Sequence, residues 1–202
     1  MTGSFAGSLS LVGGVLALDF ANTAGGRNLP KPIEHLRQAG DLLDWAMHAS
    51  VLPDEAAAPV RAALQADRAL ADHLLESALR LREAVHRIGA AIAHGRTLPP
   101  ADLDTLRQSA CASLAQAELA PSDDGHCALC FAAGPPQSSL LGPVAWSAMD
   151  LFQRGDLTRL KQCPAEDCGW LFIDTSRNGS RRWCDMSTCG NRTKVRRHRR
   201  AG

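Results

Sequence analysis

The chain has 202 residues, 45% of them hydrophobic and 21% charged, so it can bury a core and is not a disordered segment. Aromatic residues make up only 4% and Tyr is absent, which excludes an aromatic base-stacking platform for single strands. The formal net charge of +1 conceals an asymmetry: residues 1–153 carry 10 Lys/Arg against 16 Asp/Glu, and residues 154–202 carry 12 against 5, an acidic body followed by a basic piece suited to a polyanion.

The apolar stretch from Leu9 to Thr23 is broken at Gly13-Gly14 and reads as a short strand or turn leading into a helix start. Asp19 interrupts it and no Lys or Arg precedes Arg27, so it reads as a buried element rather than a secretory signal. No apolar run reaches the roughly 18 residues that a membrane span needs. Gly25-Gly26 and the stretch from Asn28 to Pro32 predict a loop. Asp41 to Leu52 has apolar residues at helical spacing, with Asp41 as the N-cap.

After Pro53, residues 54–94 are rich in Ala and Leu, with Asp54 as cap and Glu55 complementing the dipole. Leu74, Ala78, Leu81, Val85 and Ile88 lie on one face of a long helix. A break near residues 66–70 divides the segment, and Gly95 ends it. Pro99-Pro100 precedes a helix over about 101–118. The segment from Leu119 to Ala133, with Asp123-Asp124-Gly125 at its turn, predicts a hairpin, closed by Gly134-Pro135-Pro136. Val144 to Arg154 predicts a helix that ends the first domain.

The last 40 residues hold four of the seven Cys, as Cys163-x4-Cys168 and Cys184-x4-Cys189. An odd Cys count without a secretory signal argues against a disulfide framework and for metal binding in a reducing compartment. Two short Cys pairs each offer two thiolates from a local turn, and zinc takes four at tetrahedral corners. A closed four-Cys set leaves no open position, so the ion is structural rather than catalytic. Buried core thiols and a redox role are the alternatives. Trp170 to Ile173 predicts a strand, Asn178-Gly179 a hairpin turn, and Ser180 to Trp183 the return. Cys189 then opens a basic helix, which gives the order of a treble-clef-like module.

On that helix Arg192, Arg196, Arg199 and Arg200 share one face, flanked by Asn191 and Lys194, with Arg197 in the same run. Arg177, Arg181 and Arg182 extend the patch. Such a surface neutralises phosphates, and Arg and Asn read guanine and adenine when a helix enters the major groove. A solvated basic tail is the plainer alternative.

Cys189-Gly190-Asn191-Arg192, with Cys168-Gly169-Trp170-Leu171-Phe172 and Arg181-Arg182-Trp183-Cys184 before it, resembles the CGNR zinc-finger family over about residues 155–200. Upstream, Leu18-Asp19-Phe20-Ala21-Asn22-Thr23 resembles the opening of the ABATE domain, which precedes this finger in bacterial proteins described as stress-induced transcription regulators. The resemblance implies zinc at Cys163, Cys168, Cys184 and Cys189, and DNA contact by the module.

Asp19, Asn22, Thr23 and Arg27 are candidate ligand-binding residues, with capping and buried hydrogen bonds as the alternative. His126-Cys127-x2-Cys130 lacks a second ligand pair and reads as buried strand cysteines; Cys111 reads as a core thiol, and His73 and His86 as surface or capped residues. No nucleophile triad, phosphate loop or dinucleotide fingerprint occurs, so the chain is read as no enzyme. The expectation is a mainly α protein with a small β element. Residues 1–154 form a helical sensing or dimerisation domain, and residues 155–202 a finger holding one structural Zn2+. The function expected is a cytoplasmic DNA-binding regulator, with a small-molecule effector and a homodimer as further partners and no membrane. An RNA-binding or protein-interaction module is the alternative.

Overall fold

The computed structural model describes residues 5–122 and 125–201; the turn residues Asp123 and Asp124, and the side chains of Arg197 and Arg200, lie outside that description. The first domain is helical. After a 3-10 turn at Phe5–Ser8 come α1 (Leu16–Ala21), the paired dipeptides β1 (Ala24–Gly25) and β2 (Ile33–Glu34), α2 (Ala39–His48), α3 (Asp54–Ala66), α4 (Arg68–Ala93) and α5 (Pro100–Leu114). A hairpin of β3 (Glu118–Pro121) and β4 (Cys127–Cys130) follows, then α6 (Pro136–Arg154). The last part holds β5 (Leu160–Gln162), β6 (Leu171–Ile173), a wide turn at Met186–Gly190 and α7 (Asn191–Ala201).

The 26-residue α4 is the central post of the core, about 39 Å long at 1.5 Å per residue. Its predicted apolar face is the face that is buried: Leu74, Ala78, Leu81, Val85 and Ile88 are 0–1% exposed. Phe20, Trp45, Leu140 and Val144 bring α1, α2 and α6 against it. The break before α4 falls where expected, and Asp67 is its cap, accepting from Leu70 N at 3.0 Å.

Several local expectations need correction. Gln38, not Asp41, is the N-cap of α2; Asp41 lies in the first turn and reaches back to accept from Arg37 N at 2.9 Å. The helix expected over 101–118 ends at Leu114, because Glu118 to Pro121 pair with Cys127 to Cys130 instead. Helix α6 begins at Pro136, eight residues before the expected start, since Pro at the first helical position forfeits no intrahelical bond. Cys111 and Cys127 are exposed and Cys130 only partly covered. The hairpin lies on the surface, and Cys111 is on the outer side of α5, so neither is a core thiol.

The predicted strand at Trp170 to Ile173 exists, but its partner is upstream. Leu171 pairs with Gln162 and Ile173 with Leu160, so the first Cys pair sits in the loop of this hairpin. Asn178-Gly179 turns the chain, Gly179 having φ +61°, yet no returning strand follows. The reason is Lys161: its ammonium donates to the carbonyls of Gly179 and Arg181 and to Asp174 Oδ2, so a side chain fills the place of a ladder.

The two parts share a core. Leu18 of α1, Leu151 of α6, Leu160 of β5 and Leu171 of β6 form one buried cluster. Gly89 on α4 lets the hairpin approach, since a Cβ there would sit 2.7 Å from Leu171 Cδ1. No helix among the described residues is long and apolar enough to cross a membrane.

Candidate metal centre and nucleic-acid interface

Cys163 leaves β5 and Cys168 precedes β6, and the knuckle closes through Cys168 N donating to Ala165 O at 3.0 Å. Gly169 follows with φ +82°, a conformation that glycine adopts without strain. Its lack of a Cβ also makes room for Asn28 Oδ1, 2.7 Å from where that carbon would be. Cys184 and Cys189 flank a turn that Asp185 caps, its Oδ1 accepting from Ser187 N at 2.8 Å. Asn191 then starts α7 two residues after the last Cys.

All four cysteines are buried, and their sulfurs lie within 4.8 Å of one another. Cys168 to Cys184 and Cys184 to Cys189 are 3.6 Å apart. That separation is far beyond an S–S bond of about 2.05 Å. It matches the roughly 3.8 Å edge of a tetrahedron with Zn–S bonds of about 2.3 Å.

The electrostatics of the cluster also call for a cation. Hydrogen bonds from the Cys168 and Cys184 thiols, aided by backbone N–H groups of Cys184 and Ala165, hold the Cys163 thiol far below the ordinary thiol range. Those same bonds, together with burial, push the Cys168 and Cys184 thiols well above it. One thiolate forms readily, and ionising the rest needs a positive ion at the centre. Around the sulfurs, Arg192 donates to Cys189 Sγ at 3.2 Å, and Trp170, Phe172 and Trp183 shield the cluster from water.

Of the candidate DNA-contacting residues, the structure leaves some outward and engages others. Arg177, Arg182, Lys194 and Arg199 are exposed, and none of them has an ion pair among the described residues. Arg182 lies over the Trp183 ring, 5.0 Å from its centroid. Arg196 and Arg192 are turned back onto the knuckle, 2.8 and 3.4 Å from the Asp167 carboxylate. Asn191 donates to Ser187 O at 3.1 Å. Arg181 is half-buried and engaged: it lies over Phe172 at 4.5 Å and donates to the carbonyls of Val12, Trp183 and Cys184. Burial opposes a charge on Asp174, but Lys161 and Ser176 hold its carboxyl well below the usual range, which keeps this loop folded.

The four candidate ligand-binding residues lie at the seam between the two parts. Asn22 is 2% exposed, and its amide clasps one peptide of β6: Nδ2 donates to Leu171 O and Oδ1 accepts from Leu171 N, both at 2.9 Å. Thr23 donates to Phe20 O at 2.8 Å, and Asp19 accepts from Gly13 N at 2.7 Å. Burial raises the Asp19 carboxyl to about 6. The backbone N–H of Arg27 donates to Cys168 O at 2.7 Å, while its guanidinium pairs with Glu83 at 2.8 Å.

Other seam residues carry no signal in the sequence. Arg82 holds Glu34 in a bidentate pair at 2.6 Å and also bonds Glu83. Asn28 donates to Ala165 O, Trp170 Nε1 to Ala24 O, and Ile173 N to Gly13 O. His86 is buried, not a surface residue, and its Nε2 donates to Gly169 O at 3.2 Å. Burial lowers its pKa to about 4, so the ring is neutral. A pattern search cannot find such residues, because their decisive partners, Glu34 for Arg82 and Gly13 for Ile173 at the two extremes, lie 48 to 160 positions away along the chain.

A model of the CGNR zinc finger matches residues 159–201, and a model of the ABATE family, described as "Putative stress-induced transcription regulator", matches residues 14–155. Neither description names a catalytic activity. No curated protein matches the chain. The four cysteines of the matched finger are those of the buried cluster, and together they hold a single structural Zn2+. The chain is a member of the ABATE family, carrying a CGNR zinc finger after its helical domain.

Proposed function

We propose that the chain is a zinc-dependent, DNA-binding transcriptional regulator. The finger of residues 155–202 contacts the duplex, and the helical domain of residues 1–154 senses a ligand or mediates dimerisation. The observation that carries the reading is α7, which starts two residues after the last zinc ligand and presents Lys194 and Arg199 to solvent, in the same module as the exposed Arg177 and Arg182. The zinc centre fixes the first turn of α7, so its charges are presented from a rigid base. The family description, a regulator, points the same way.

In this reading the described cations divide into three classes. Arg177, Arg182, Lys194 and Arg199 are the primary phosphate contacts. Arg192 and Arg196 join them only by giving up Asp167. Arg181 positions the loop. Asp19, Asn22, Thr23 and Arg27 are docking and capping residues that lock the finger onto the helical domain.

The test is a salt titration of duplex binding by the zinc-loaded chain. Removing one cation that neutralises a phosphate reduces the slope of log K against log salt by about 0.9. The double variant K194A/R199A should therefore reduce it by nearly 2, and R181K should leave it unchanged if folded. An unchanged slope in the double variant removes α7 from the interface. Tighter binding to structured RNA than to duplex DNA at the same salt would replace this reading with an RNA-binding one.

A further inference from the structure

A cleft of about 380 Å³ opens at the seam, beside the zinc cysteines. One wall belongs to the helical domain, with Phe5, Ile33 and His35; the other belongs to the finger, with Trp170, Asp185 and Arg192. Its size is in the range of small-molecule sites, which favour domain junctions. Phe5 and Ile33 are large apolar residues left 61% and 52% exposed at its rim, so the cleft offers apolar surface that nothing in the described chain covers.

The charge of the cleft selects its occupant. Asp167 and Asp185 line it, together with Cys168, Cys184 and Cys189. A centre of four thiolates and one Zn2+ carries a formal charge of −2, so this side is strongly negative. Arg192 is the one basic side chain among the described lining residues that opposes it. That guanidinium is already engaged, 3.2 Å from Cys189 Sγ and 3.4 Å from Asp167. His35 stacks on Phe5 with centroids 4.9 Å apart, and burial lowers its proton affinity, so it adds no positive charge. Asp167 is already paired with Arg196 at 2.8 Å, so an anion entering here would meet Asp185 and a dianionic centre with no free cation among the described lining residues to receive it. A cation would meet negative charge together with the Phe5 and Trp170 rings, which attract cations through their faces.

We infer that this cleft binds a small organic cation with an apolar or aromatic body, an amine rather than a carboxylate, held between the helical domain and the finger. This does not depend on whether the finger contacts DNA. A ligand bridging both walls favours the docked arrangement of the two parts by its differential affinity for it.

The test uses the full zinc-loaded chain and three probes of like size: phenethylammonium, 2-phenylethanol and 3-phenylpropionate. Binding is read by amide chemical shifts. The expected result is saturable binding of phenethylammonium that moves Gly25, Gly26 and Thr188, with the carboxylate at least about tenfold weaker. Two rim variants fix the location. Ile33 is half exposed, so I33K and I33E both fold, and equal zinc content verifies this. I33K should weaken the amine by about tenfold, and I33E should not weaken it. The inference is overturned by a carboxylate that binds as well as the amine. It is equally overturned by amine binding that I33K leaves intact, or by no saturation at about 10 mM, weaker than such a site should bind.

Discussion

Replacing Asn22 by Ala probes the seam at its most specific point. The Asn22 amide satisfies both the N–H and the C=O of Leu171, a fully buried residue on β6. Ala would leave that peptide with two unmet groups in a dry core. Each such group costs about 1–3 kcal/mol, so N22A should lose about 2–6 kcal/mol, a large part of the roughly 5–15 kcal/mol of a typical domain. N22D sharpens the test. It keeps an acceptor for Leu171 N but sets a carboxylate oxygen against Leu171 O, and it buries a charge. At pH 7 it should be worse than Ala, despite its closer shape. The assay is urea unfolding of the zinc-loaded variants, together with the rate at which a chromogenic chelator takes the zinc. Because β6 begins three residues after Cys168, both variants should also release zinc faster. A midpoint for N22A within about 0.5 kcal/mol of wild type, with unchanged zinc transfer, would refute the idea that this motif docks the finger.

Other expectations follow from the same geometry. C184S should bring the metal content measured by mass spectrometry to near zero and unfold the module, since zinc binding and folding of such a site are one process; full retention of zinc would contradict the four-thiolate centre. His86 is buried neutral with a pKa of about 4 against an ordinary 6.5, so folding resists its protonation, and stability should fall as pH drops from about 6.5 towards 4, by up to about 3 kcal/mol. H86Q should flatten that part of the pH profile relative to wild type, whereas parallel profiles would show that His86 does not contribute. R181A should lower the unfolding temperature markedly because it strips donors from the carbonyls of Val12, Trp183 and Cys184; an effect confined to DNA affinity would return Arg181 to the interface. R196A, paired with Asp167, should change the salt slope less than K194A, and the reverse order would show that α7 docks through its other face.

The parts legible in the sequence are those carried by local pattern. The four thiols come from two spacings, and the buried face of α4 from a 3.6-residue period. The break at Asp67 and the helix stop at Gly95 follow from cap chemistry. What is not legible depends on distant partners. The strand at Leu171 is visible, but its pairing with Leu160 to Gln162 across the knuckle is not, because the Asn178-Gly179 turn offers a nearer alternative. Likewise the spacing of the basic helix suggests one phosphate-facing surface. Asp167, 25 positions upstream of Arg192, turns Arg192 and Arg196 towards the knuckle. Asn22 reads in the sequence as a ligand-binding or buried hydrogen-bonding residue, but its partner, the Leu171 peptide, is set at 2.9 Å from it only by the fold. The exposed Cys111 and Cys127 show the converse error, in which a small apolar side chain suggests a core that its element does not face.

The central claim is that the zinc-fixed helix delivers this chain to specific DNA. The measurement that tests it most directly is selection from fragmented genomic DNA of the source organism by the zinc-loaded protein at about 150 mM salt, where non-specific binding is weak, followed by sequencing of what is retained. The account predicts a shared sequence upstream of a small set of genes, lost in C184S and in K194A/R199A. Uniform retention across the genome that salt removes, or retention unaffected by those variants, would contradict it.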